Sequence, residues 1–354
     1  MTAQNITEAN QQYVGLRDSG EPLVTKYDLA LVDLDGVVRR GNDPIEYASE
    51  SLTKAATLGL KQVFVTNNAS ITPEQVATQL KGLGIEHTSA QHVMTAAVAA
   101  AALLKTKLKP GAKVLVVGGD GLFTACAAAG FQVIPATEPN AADAQPEAVV
   151  MGYAPTVAWP QLAEAAYAVN NGAWLVASNL DKSLPTARGF APGNGALVAS
   201  VQAATGVVPA SDGKPSPAMY QLAVTAENAS NPLVIGDRLD TDLGGARAAN
   251  YPGLMVLTGV SSARDAVLAP PSCRPDYVGA DLRTIFEVHH APHEGPDNWW
   301  LSGDRGARVV NNRLELDGQG ATGIDAVRAA CAAVWNATDH GIEVNPDSIP
   351  EFSV

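Results

Sequence analysis

Basic residues are scarce in this chain: 23 Lys and Arg stand against 36 Asp and Glu, for a formal net charge of −13 and a pI near 4.8. With no basic stripe to neutralise phosphates, nucleic acid is excluded as a partner. Cysteine is nearly absent. Cys126, Cys273 and Cys331 are scattered without metal-ligand spacing, which excludes a disulfide framework and leaves reduced, partly buried thiols. No apolar run approaches the roughly 20 residues of a membrane span, and residues 1–18 are polar with no signal-peptide core, so the expected location is the cytoplasm. At 354 residues the chain is too long for one minimal domain and can bury a large core.

The most informative stretch is Leu29-Ala30-Leu31-Val32-Asp33-Leu34-Asp35-Gly36-Val37-Val38. An apolar run of strand length ends in two carboxylates two residues apart and then a turn glycine, which reads as a buried parallel strand. Strand periodicity sends Asp33 and Asp35 the same way, to the carboxyl end of the strand, where open α/β sheets place ligands. Carboxylates so close repel unless a cation lies between them or one is protonated. The pair therefore points to a hard divalent ion, to acid/base chemistry, or to both. Alone, such a pair could merely cap a loop.

Around it the chain alternates. Residues 1–22 form a polar leader, expected to be loose or weakly helical. Strands at 27–34 and 61–66 are separated by a helix at 45–58 and followed by one opening at Thr72-Pro73-Glu74. This alternation predicts a doubly wound, parallel, Rossmann-like α/β sheet. A second α/β unit is inserted over 93–195, after which the first resumes over 196–288. The first unit is thus 23–92 plus 196–288, interrupted by the insert. Gly118-Gly119-Asp120-Gly121 follows a strand, but the third glycine of a dinucleotide loop is missing, so a plain strand-to-helix turn is expected.

Residues 289–354 read as a His- and Pro-rich linker and a short α+β extension, with a hairpin on Asn311-Asn312 and a helix over 323–336. Some 55 residues are too few to stand alone, so this tail should pack on the main body. His289, His290 and His293 lack cysteine partners and read as linker rather than metal site.

Four strand ends now carry polar groups: Asp33 with Asp35, Thr66 with Asn67, Lys214 from a loop, and Asp237 with Asp242. Each supplies a part that phosphoryl transfer needs. A carboxylate can attack phosphorus and a second acid can move the proton. A hydroxyl and an ammonium can hold phosphoryl oxygens, and carboxylates can hold Mg²⁺. Asp240 reads as surface.

The segments Asp33-Leu34-Asp35-Gly36-Val37, Val65-Thr66-Asn67-Asn68, Gly213-Lys214-Pro215 and Gly236-Asp237-Arg238-Leu239-Asp240-Thr241-Asp242 resemble, in order, the four motifs of the haloacid dehalogenase superfamily. The insert resembles the cap of its subclass IIA, the 4-nitrophenyl phosphatase-like enzymes. Ser178-Asn179-Leu180-Asp181 and Pro192-Gly193-Asn194-Gly195-Ala196-Leu197 resemble stretches of that subclass too. The resemblance implies that Asp33 is the nucleophile and Asp35 the general acid/base, and that Thr66 and Lys214 hold the phosphoryl group with Asn67 nearby. It further implies Mg²⁺ on Asp33, the backbone carbonyl of Asp35 and Asp237, with Asp242 in support. A dehalogenase would have no use for Asp35 or a metal.

Specificity should reside in the cap loops, where Asn179, Asp181, Arg188 and Asn194 are candidate substrate contacts. Few aromatics lie there, which suits a small polyol phosphate better than a flat ring. The Ala-rich chain with its short tail resembles the actinobacterial glycerol-3-phosphate phosphatase branch of the subclass, which implies hydrolysis of glycerol 3-phosphate in lipid head-group recycling. That branch carries an acetyltransferase-like tail, but here Thr322 stands where an acetyl-CoA loop needs glycine, so no acetyl transfer is expected. The alternatives are 2-phosphoglycolate, a nucleotide or a sugar phosphate as substrate, or a non-catalytic phospholigand sensor acting through the tail. Caps of this subclass often dimerise, which makes a homodimer the expected assembly.

Overall fold

The computed structural model describes residues 15–186 and 188–354. They divide into two compact units, Asp28–Pro232, and the stretch ending at Tyr27 together with Leu233–Val354. Among the described residues no helix is long and apolar enough to cross a membrane.

In the first unit, β1 (Leu29–Val32) is buried along its whole length and lies parallel to β2 (Lys61–Thr66), with Leu29 opposite Lys61. Between them runs α1 (Ala48–Thr57). Apolar runs covered on both faces by crossover helices are what a parallel sheet requires. Helix α2 (Pro73–Gly82) starts on a reciprocal cap, in which Thr72 Oγ1 accepts from Gln75 N–H and the Gln75 side chain accepts from Thr72 N–H. The insert was expected to open at residue 93. Instead β3 (Val93–Thr95) pairs with β2, and the Thr95 hydroxyl caps α3 (Ala96–Lys105), so the first sheet reaches Thr95.

The insert is a second parallel sheet. Its strands are β4 (Lys113–Val117), β5 (Gln132–Pro135), β6 (Ala148–Met151), β7 (Trp174–Ala177) and, after the hairpin β8 (Ser183–Thr186) and β9 (Gly189–Pro192), β10 (Ala210–Ser211). They lie in the order β10-β7-β6-β4-β5, with α4 (Asp120–Ala128), α5 (Trp159–Asn170) and α6 (Asn194–Thr205) as connections. The expected end at residue 195 is therefore too early. Val198 and Val201 of α6 are buried with Val149 and Leu175 of the cap, and β10 pairs with β7, so the cap extends to Ser211. Gly206 ends α6 at φ 72°, a conformation glycine adopts freely. The glycines at 119 and 121 lie against the carbonyls of Ser70 and Ile71, where a Cβ would collide, and Gly121 N–H donates to Ser70 O at 3.3 Å. Close backbone approach, not a cofactor loop, explains that run. Helix α7 (Ala218–Glu227) closes this unit.

In the second unit β11 (Pro232–Gly236), β12 (Gly253–Val256) and β13 (Tyr277–Gly279) are parallel neighbours, connected by α8 (Gly244–Ala249) and α9 (Ala263–Val267). The tail folds as an antiparallel sheet of β14 (His293–Glu294), β15 (Trp300–Ser302), β16 (Arg305–Val310) and β17 (Arg313–Leu316). Asn311 and Asn312 turn β16 into β17 at φ 49° and 62°, the left-handed pair a tight hairpin needs. Helix α10 (Ile324–Asp339) buries Val327, Val334 and Trp335 with Leu243, Ala266 and Val267, so the tail shares a core with the 233–288 segment. Trp335 Nε1 donates to Ala266 O at 3.2 Å, and buried Arg274 pairs with Asp339 at 2.7 Å.

Of the polar leader, residues 1–14 lie outside the described residues. Residues 15–22 are pinned rather than loose: Arg17 pairs with buried Asp276 at 2.5 Å, Ser19 N–H donates to His289 O and His289 N–H donates to Ser19 Oγ, both at 2.8 Å. His289 is thus part of a core and not the start of a linker. Its Nε2 meets Thr284 O at 3.2 Å, while His290 lies beside Asp18. Cys126 and Cys331 are buried and Cys273 is partly so, all three as free thiols.

Candidate active site

Asp33 leaves β1 nearly enclosed, 9% exposed. A buried carboxylate needs a partner, and the Lys214 ammonium supplies one: Nζ lies 2.5 Å from Asp33 Oδ1 and also donates to Val65 O at 3.1 Å. Lys214 is itself 5% exposed. At the end of β2, Thr66 Oγ1 accepts from Asn68 N–H at 3.1 Å, which leaves the hydroxyl proton to donate outward. Asn68 Oδ1 takes the N–H and the hydroxyl of Ser70, closing that loop.

Asp35, two residues on, has its side chain 56% exposed and pairs with Arg39 at 3.3 Å. The tight turn between them is made by Gly36 at φ 96°, with Gly36 N–H donating to Arg39 O at 2.8 Å. Arg39 also donates to Gln79 on α2 at 2.6 Å. Arg39 carries no catalytic signal in the sequence, where Arg39-Arg40-Gly41-Asn42-Asp43-Pro44 reads as a turn. The spacing of four from Asp35 was the available signal, but it identifies neighbours only on a helix.

Asn67 stands where three loops meet. Its carboxamide accepts from Lys214 N–H at 2.8 Å and donates to Lys214 O at 3.1 Å and to Asp181 at 3.1 Å. Its backbone carbonyl accepts from Asn179 Nδ2 at 2.7 Å. Asn194, 2% exposed, donates to Met151 O and Asn179 O. Those bonds tie Asn179 and Asn194, both expected as substrate contacts, to the backbone of neighbouring loops. Arg188 lies exposed at the β8–β9 turn, its backbone N–H bonded to Thr186, and is not drawn into this network. Gly213 is obligatory here, because a Cβ would meet Ser178 O and Asn179.

In the second unit, Asp237 follows β11 and is fully buried, one carboxylate oxygen accepting from Val260 N–H at 2.7 Å. Asp242, 1% exposed, lies in the wide turn Leu239–Leu243 and accepts from Arg238 N–H at 3.2 Å. Both carboxylates sit against glycine: a Cβ on Gly259 would strike Asp237, and one on Gly236 would strike Asp242. A pair of buried carboxylates on one turn is an all-oxygen donor set, the type that suits Mg²⁺. Asp240 stays on the surface, its carboxyl held below the usual carboxylate range chiefly by the Arg238 guanidinium paired to it at 2.7 Å.

Residues 30–132 match the haloacid dehalogenase-like hydrolase model and residues 211–285 a HAD-hydrolase-like one. This chain belongs to the haloacid dehalogenase-like hydrolase family. It is 42% identical over 330 residues to the D-glycerol 3-phosphate phosphatase of Mycobacterium tuberculosis, covering 92% of this chain and 90% of that protein. A crystal structure of the M. tuberculosis glycerol phosphate phosphatase in complex with magnesium superposes with a TM-score of 0.79 at 41% identity, over 89% of this chain and 92% of that one. The acid sugar phosphatase of Staphylococcus saprophyticus is 33% identical over 74% of this chain and 97% of its own length. A p-nitrophenyl phosphatase from Archaeoglobus fulgidus matches with a TM-score of 0.67 at 26% identity, over 73% and 98%. Residues 303–348 match a GCN5-related N-acetyltransferase-like model. In that segment the Arg305 guanidinium donates to the carbonyls of Gly320 and Thr322, and Ser353 N–H, from just beyond it, donates to Ala321 O at 3.0 Å.

Proposed function

We propose that the protein is a Mg²⁺-dependent phosphomonoesterase that hydrolyses glycerol 3-phosphate to glycerol and phosphate. The observation that carries the chemistry is the enclosed Asp33 held at 2.5 Å by Lys214, whose ammonium also donates to Val65 O at the end of β2. The observation that favours the substrate is the 42% identity to a D-glycerol 3-phosphate phosphatase.

An Asp33 oxygen attacks phosphorus and the ester P–O bond breaks, giving an aspartyl phosphate and an alkoxide that Asp35 protonates. Asp35 then takes a proton from the water that attacks the acyl phosphate, releasing phosphate and restoring the Asp33 carboxylate. Lys214 and Thr66 hold the equatorial oxygens through both displacements. Asp33, the Asp35 carbonyl, Asp237 and Asp242 are the proposed Mg²⁺ set, and the bound ion offsets the repulsion between the carboxylate and the phosphate dianion. A cap over the site keeps bulk water from the acyl phosphate. We infer further that the enzyme works in the cytoplasm, as a homodimer formed through the cap.

The test is kcat/KM for glycerol 3-phosphate, 2-phosphoglycolate, a nucleoside monophosphate and a hexose phosphate, with Mg²⁺ and after chelation. A glycerol 3-phosphate rate below the others would reject that substrate, and the acid sugar phosphatases make hexose phosphate the rival arm. Turnover undiminished by chelation would reject the metal.

A further inference from the structure

We propose that Asn67 and Asp181 form a latch through which the cap keeps Lys214 on Asp33, a role of positioning and not of substrate contact. This proposal deepens the phosphatase reading and rests on it.

Asp181 belongs to the loop after β7, where the chain leaves the cap's central strands, and Asn67 to the loop after β2. The Asn67 amide spans 3.1 Å and 3.4 Å to the two Asp181 oxygens. The same carboxamide grips both backbone polar groups flanking the Lys214 side chain, Oδ1 accepting from its N–H at 2.8 Å and Nδ2 donating to its carbonyl at 3.1 Å. A carboxamide that both accepts from and donates to one residue fixes it in rotation as well as distance. Asp181 N–H donates in turn to Asn179 Oδ1 at 3.2 Å, and Asn179 holds the Asn67 carbonyl at 2.7 Å. The ring closes on itself, leaving the Lys214 ammonium at 2.5 Å from Asp33 as its output. Displacing the loop that carries Asp181 would remove one support of the Asn67 amide and loosen the Lys214 backbone. Misplacing a catalytic group by about 1 Å costs on the order of 10²-fold in rate.

The test is a double-variant cycle in the full chain: Asn67→Ala, Asp181→Ala, both together, and Asp181→Asn. Each is assayed with Mg²⁺ on glycerol 3-phosphate and on a chromogenic aryl phosphate. Lys214 serves the phosphoryl group that both esters share. The latch therefore predicts that each alanine variant lowers kcat by about tenfold or more on both, with KM within about twofold. The double variant should be no worse than the poorer single one. Asp181→Asn should recover most of the rate, because its amide oxygen still accepts from Asn67. A KM rise confined to glycerol 3-phosphate would make Asp181 a substrate contact, and multiplying losses would make the two residues independent; either result overturns the latch. Should an alanine variant fail to fold, Asn67→Ser and Asp181→Ser carry the same cycle. If the wild-type chain hydrolyses neither ester, the functional reading fails by itself. The latch is then judged on Tm, where coupled shifts support it and additive ones overturn it.

Discussion

The Lys214 ammonium lies 2.5 Å from the Asp33 carboxylate, and the two residues are 5% and 9% exposed. They are 181 positions apart in sequence. An ion pair so enclosed is held by geometry that both partners need, and removing either leaves the other charge buried and uncompensated.

Asp33→Asn keeps the shape of the side chain but cannot form an acyl phosphate. Phosphate release should fall by on the order of 10⁴-fold or more, as for loss of a nucleophile elsewhere. Lys214→Ala should cost about 10²–10³-fold in kcat, the scale of one fixed oxyanion donor. Steady-state release of inorganic phosphate measures both, and a variant with near wild-type turnover would remove that residue from the chemistry.

Gly259→Ala places a methyl group on the Asp237 carboxylate. Overpacking at such a point costs about 1–3 kcal/mol, and the displaced carboxylate should raise the Mg²⁺ concentration needed for half-maximal activity. Titration of Mg²⁺ against activity, beside a denaturation curve, separates the two effects. An unchanged Mg²⁺ requirement would take Asp237 out of the metal set.

Trp335 is fully buried and donates to Ala266 O. Trp335→Ala should destabilise the chain by about 3–5 kcal/mol. Urea denaturation would read this as a lower midpoint.

Burial beside Tyr277 and Arg328 pushes the His289 imidazole down to about 4, well below its ordinary 6.5. A depressed folded-state value means that the unfolded chain takes up the proton first as pH falls. The stabilisation is whole above pH 6.5 and is lost progressively toward pH 4. At about 1.4 kcal/mol per unit, that is roughly 3 kcal/mol across the window. In His289→Gln the fall of stability between these values should be shallower, as measured by chemical denaturation at several pH values. Parallel wild-type and variant curves would refute the assignment.

Much of the first unit was legible because its signals are local. The run before Asp33 had to be a strand, Thr72-Pro73 had to start a helix, and Asn311-Asn312 had to turn a hairpin. Boundaries set by packing were not legible. Val93–Thr95 is too short to show a period, and α6 reads alike whether it covers the core or the cap. The hydrogen-bond partners of the polar cap residues were not legible either: Asn179 and Asn194 read as candidate ligand contacts, and the backbone carbonyls they donate to are displayed by no sequence. Arg39 was missed because its neighbour Asp35 is reached through a turn.

Helix α10 seals an apolar patch on α9 and the turn before α8, whereas the hydrolase model ends at residue 285. With Leu243, Ala266 and Val267 packed against it, dropping the tail would uncover an apolar surface and invite self-association. The tail is thus a structural lid on the domain's own apolar surface, and solubility alone is a reason to keep it even if it never touches a substrate.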